Sequence, residues 1–74
     1  MMYFVTQKKH NAGGNWDNNV HVKETEGEAL HQFHAFMSTY AYGFGSNLDY
    51  VGCEVTTEDG LCIKSEYDNR MVNA

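Results

Sequence analysis

Apolar and polar residues follow two rhythms along this chain. Between Thr25 and Tyr42 the apolar positions recur at helical spacing, and on either side of that stretch they alternate in short runs separated by turn formers. Wound at about 100° per residue, Ala29, Leu30, Phe33, Phe36, Met37, Tyr40 and Ala41 share one stripe, opposite His31, Gln32, His34, Ser38 and Thr39. One face wants a core and the other wants water. Thr25-Glu26-Gly27-Glu28 has the form of a capping box, in which the Thr25 hydroxyl accepts from the Glu28 N–H and the Glu28 carboxylate reaches back to that of Thr25. Gly43 and Gly45 supply the left-handed conformation that stops a helix, so the helix is expected to end near Tyr42 or Gly43.

The alternating runs predict four strands. Met2 to Lys9 puts Phe4 and Thr6 on one side and Tyr3, Val5 and Gln7 on the other, with the inward side left open. His10 to Asn18 is dense in turn formers and reads as a loop too long for a tight hairpin. Trp16 within it is expected to fold over the edge of the core, its alternative being an exposed binding anchor. Val20 to Lys23 alternates cleanly and leads into the helix cap. After the helix, Leu48 to Val55 places Val51, Cys53 and Val55 on the core face and Leu48, Tyr50, Gly52 and Glu54 on the other. Thr57-Glu58-Asp59-Gly60 carries the Asp-Gly signal of a hairpin, Leu61 to Glu66 returns, and Tyr67 to Ala74 is expected to fray. The fold class is therefore α+β, a β-β-α-β-β chain forming a four-stranded antiparallel sheet with one helix packed on one face. A crossover that skips the first strand gives the order 2-1-3-4. The helix leaves the other face uncovered.

Residues 1–74 suffice for a single domain, and a chain this short buries only about 60% of the surface its unfolded form exposes. Self-association through the uncovered sheet face, as a homodimer, is one expected means of support. The net charge of −5 is uneven: residues 1–23 carry Lys8, Lys9 and Lys23 against Asp17, while residues 24–74 carry nine acids against Lys64 and Arg70. That balance argues against direct nucleic-acid binding, which needs clustered bases. No run approaches the roughly 18 apolar residues of a membrane span, the first residues lack the form of a signal peptide, and two cysteines suit a reducing cytoplasm. A cytoplasmic protein without membrane contact is expected.

The candidate chemistry is sparse. His31 and His34 are three apart on the helix, but they lie opposite the stripe that faces the sheet bearing Cys53 and Cys62, so no metal site is expected to close. The hairpin register offsets Cys53 from Cys62 beyond disulfide reach, leaving two free thiols. Ser38, Ser46 and Ser65 stand in no nucleophile motif, and Glu58-Asp59 lies at a solvated tip where nothing raises a carboxyl pKa. Neither an enzyme nor a cofactor is expected. What remains is surface: Glu54, Glu58, Asp59 and Glu66 on the last hairpin are expected to form one acidic docking patch for a basic partner, with Trp16 as an anchor, the alternative being an ordinary solubilising surface.

Tyr3-Phe4-Val5-Thr6, the helix start Thr25-Glu26-Gly27-Glu28-Ala29 with Phe33-His34 a turn later, Asp49-Tyr50-Val51, and Glu58-Asp59-Gly60-Leu61-Cys62-Ile63-Lys64-Ser65 together resemble small proteins encoded by phages and mobile elements of Gram-positive bacteria. The resemblance implies an inhibitor of host machinery, anti-CRISPR-like, that binds a host protein with a basic surface. Ten acids in the chain are fewer than a strong DNA mimic carries. The alternative expectation is a structural or accessory homodimer.

Overall fold

In the computed structural model, which describes residues 1–40 and 48–70, the order is β1 (Tyr3–Asn11), β2 (Trp16–Lys23), α1 (Glu26–Tyr40), β3 (Leu48–Thr57) and β4 (Cys62–Asn69). The sheet runs β2-β1-β3-β4 with every neighbour antiparallel, the expected order. Thr25 caps α1: its Oγ1 accepts from the Glu28 N–H at 3.1 Å, and its hydroxyl donates to the Glu28 carboxylate at 3.0 Å. The expected helix end at Ala41, Tyr42 and Gly43, and the expected fraying of 71–74, lie outside the described residues.

The helix lays Ala29, Phe33, Phe36 and Met37 on Val5, Val51, Cys53 and Val55, which fixes the inward side of β1 that alternation left open. Tyr3, Tyr40, Leu48 and Ile63 close the margin of this core. His31 and His34 face away from it and are exposed. Among the described residues no His, Cys, Asp and Glu gather into a group of three that could hold a metal, and no helix is long and apolar enough to cross a membrane.

The first hairpin corrects the expected long loop. β1 and β2 both run further than their composition suggests, and only 12–15 separate them. The Asn11 N–H donates to the Asn15 carbonyl, the Gly14 N–H to the Asn11 carbonyl, and the Asn11 side chain accepts from Gly13, each at 2.8 Å. Gly14 adopts a φ of 98°, which a side chain would resist. The second hairpin repeats the device: the Thr57 N–H donates to the Leu61 carbonyl, the Gly60 N–H to the Thr57 carbonyl, and Gly60 has a φ of 86°. Tyr67 is likewise paired, opposite Gly52, within a β4 that continues to Asn69.

Both cysteines are free, and they occupy different surroundings. Cys53 is buried under the helix, whereas Cys62 pairs with Thr56 at the exposed start of β4. Burial first, then the neighbouring Glu54 charge, push the Cys53 thiol up from 9.0 to about 12. A thiol reagent added to native protein should therefore titrate Cys62 alone, with Cys53 appearing only in denaturant. Two fast thiols in the native state would place Cys53 outside the core. The same shift has a stability consequence of definite sign. The folded state retains a proton that the unfolded chain loses above about 9, so stability falls as pH rises from there towards 12. Melting temperature against pH should show a shallower alkaline decline in Cys53→Ala than in the parent.

Candidate functional site: the open face of the sheet

Alternation along the strands puts Phe4, Thr6, Lys8 and His10 of β1 on the side away from the helix. Trp16, Asn18, Val20 and Val22 of β2, and Tyr50, Gly52, Glu54 and Thr56 of β3, line up beside them. On β4 the same face carries Ser65, Tyr67 and Asn69. At one end of this face the register brings four rings into a row across all four strands. His10 lies between Trp16 and Tyr50 in the ladder, its ring 4.6 Å from that of Trp16. The Trp16 and Tyr50 rings meet edge to face at 5.4 Å, and Tyr50 stacks on Tyr67 at 6.1 Å with 14° between planes. Trp16 is 52% and Tyr67 68% exposed, so the row is open to a ligand rather than consumed by packing.

Two features hold the row in place. His10 Nδ1 lies 2.5 Å from Asp49 Oδ1, and the carboxylate, which can only accept, fixes the imidazole with Nδ1–H as donor. Asp49 occupies the irregularity where β3 passes from Leu48 opposite Asn11 to Tyr50 opposite His10. Gly52 is the second feature. A Cβ there would meet Cε1 and Oη of Tyr50 at 2.9 Å, so the Tyr50 ring lies across the glycine backbone and reaches Tyr67, the residue paired with Gly52.

Tyr50 divides the face into two shallow recesses. One of about 310 Å³ is lined by Lys8, Trp16, Asn18 and Tyr50. The other, of about 100 Å³, has Thr6, Lys8, Glu54 and Ser65 beside the Tyr50 and Tyr67 rings. The first reaches the lower end of the volumes that bound ligands occupy, more room than one helix on a sheet leads one to expect.

The acids expected to act together are dispersed. Glu54 is on the open face between Thr6 and Ser65, whereas Glu66 pairs with buried Cys53 and so projects to the helix side. Glu58 and Asp59 are exposed in the turn, but Glu58 is engaged: its Oε1 accepts from the Met2 N–H at 2.6 Å and lies 3.9 Å from the terminal amine. Register explains the separation, since successive residues of a strand point to opposite faces. Of the expected site residues, the structure joins Glu54 and Trp16 on one face. His10, Tyr50 and Tyr67 were not expected beside them. The alternation of Tyr50 with Gly52 and Glu54 was a legible sign of the outer face, but the neighbours of Tyr50 follow only from strand order. No family model, curated protein or solved structure matches this chain.

Proposed function

We infer that the protein is a non-catalytic interaction module that docks a partner protein on the open sheet face, with arginine side chains of a basic partner surface entering between the rings. The row of Trp16, His10, Tyr50 and Tyr67 carries this reading, because rings exposed on a rigid sheet give large contact area at little entropic cost. Guanidinium planes stack on such rings, and Glu54 beside the Tyr50–Tyr67 pair supplies a carboxylate to receive one. The net charge of −5 favours the encounter. The resemblance to phage and mobile-element proteins points to a host protein as the partner and to inhibition as the outcome.

The single tryptophan of the chain is in the row, so its fluorescence reports on the site directly. Titration with an arginine-rich peptide should change Trp16 emission saturably, and a glutamate-rich peptide should not. Tyr67→Ala should weaken binding about tenfold, which corresponds to roughly 1.4 kcal/mol, and Glu54→Gln should weaken it and reduce its salt dependence. Unchanged emission with the arginine peptide, or equal affinity for parent and Tyr67→Ala, would remove the ring row from the interface.

A further inference from the structure

The two edges of the sheet are built differently. β4 alternates Lys64, Glu66 and Asp68 along its length, and Arg70 just beyond it holds Asp68 at 3.0 Å. Charges spaced along an edge in this way discourage another strand from pairing, and an irregularity between Val55 and Thr56 further disturbs the β4 ladder. β2 has no such protection. From Asn18 to Val22 it carries no Lys, Arg, Asp or Glu, the chain contains no proline, and Val20 and Val22 are 59% and 51% exposed. An edge strand whose outward amides meet no partner among the described residues, and whose valines are exposed, is poised to accept a partner strand.

We propose that β2 pairs antiparallel with β2 of a second copy, about a two-fold axis through Val20. The Asn11–Asn15 bond sets the parity of the first hairpin: ladder bonds to β1 recur at Asp17, Asn19, His21 and Lys23, and the amides of Asn18, Val20 and Val22 point out of the sheet. Pairing about Val20 joins those three outward residues to their counterparts through about six hydrogen bonds. Val20 then meets Val20 of the second copy on the open face. On the helix side Asn19 meets His21, and Asp17 meets Lys23, twice by symmetry. Asp17 already holds Lys9 at 3.4 Å, so its carboxylate is placed on that side of the edge with charge to share. This charge complementarity selects the register: a shift of the axis to Asn19 sets Asp17 against His21 and leaves Lys23 without a carboxylate. Both helices then lie on one side of the joined sheet and both ring rows on the other, the two Trp16 positions roughly 27 Å apart along the strands.

The test is made on the whole chain by sedimentation and native mass spectrometry over a range of concentrations. The parent should shift from monomer to dimer as concentration rises, and Val20→Pro should remain monomeric. Proline at an outward-facing edge N–H is compatible with the monomer fold, which circular dichroism checks. Asp17→Lys and Lys23→Asp should each lose dimer at least tenfold, because each sets like charges opposite one another at both symmetric pairs. An equimolar mixture of those two variants should form the heterodimer, since both of its pairs are then opposite in sign. This arm reads the register without depending on Val20. A parent that stays monomeric at every concentration would overturn the proposal, as would a dimer indifferent to Val20→Pro. Charge variants that dimerise as homodimers as well as they do when mixed would overturn it too.

Discussion

Phe33→Ala is expected to lower stability by about 3–5 kcal/mol, the cost of emptying the site of a fully buried aromatic ring. Phe33 is 0% exposed and is the largest fully buried side chain in the described structure, in the midst of Val5, Val51 and Val55. It also carries the Lys64 ammonium over its ring at 5.7 Å and the edge of His34 at 5.3 Å, so truncation removes contacts at its rim as well. A domain of this size has a total stability of about 4–11 kcal/mol at the usual yield per residue, of which the substitution takes a large part. Urea melts should show a much lower midpoint or no folded baseline. Ala35→Ser, on the exposed side of the same helix, should melt within about 0.5 kcal/mol of the parent and so isolates the packing effect. Similar midpoints for the two variants would mean that the helix does not pack on the sheet by this stripe.

Gly52→Val is expected to leave folding nearly intact and to remove most of the binding. Valine favours strands, so the backbone at this position gains intrinsic preference for its conformation. Its Cβ, however, would lie 2.9 Å from the Tyr50 ring, and the end of a tyrosine side chain is free to swing away. The swing breaks the stack on Tyr67 and the edge contact with Trp16 together, and reshapes both recesses that Tyr50 lines. Affinity for the arginine-rich peptide should drop at least tenfold while melting changes by about 1 kcal/mol or less. Tyr50→Ala should give the same loss, and the double substitution should add little to either, because both act through one ring. Full affinity in Gly52→Val would show that the placement of Tyr50 is immaterial to the site.

The core could be read from the chain because it rests on two strict periods. Val51, Cys53 and Val55 alternate without a break, Phe33, Phe36 and Met37 keep helical spacing, and Thr25-Glu28 marks the start. The outer face was less legible for a physical reason. Asp17, Asn18 and Asn19 are poor strand formers by composition, yet pairing with Lys9, Lys8 and Gln7 holds them in β2 beside Trp16, an instance of tertiary context overriding propensity. Asp68 is held likewise by its pairing with Val51, next to Tyr67 opposite Gly52, in an edge strand rather than a frayed end. Once those extensions are known, Trp16 and Tyr67 fall into line with His10 and Tyr50. The acids separate for the opposite reason: Glu54 and Glu66 belong to one hairpin, and the pleat sends them to opposite sides.

The two hairpins close alike, with three residues between the bonded pairs Asn11–Asn15 and Thr57–Leu61, and the last of the three is a glycine with positive φ, Gly14 or Gly60. A one-residue slip of the strand that follows either loop would exchange the two sides of everything in that strand. At the first turn it would send Trp16 towards the helix and Asp17 into the row of rings, and at the second it would do the same to Tyr67 and Glu66. Extra residues at these turns should therefore be held in the loop, leaving Trp16 opposite His10 and Tyr67 opposite Gly52. Random single-codon insertions should be tolerated at the two turns far more often than inside β2 and β4, where the added residue enters the ladder.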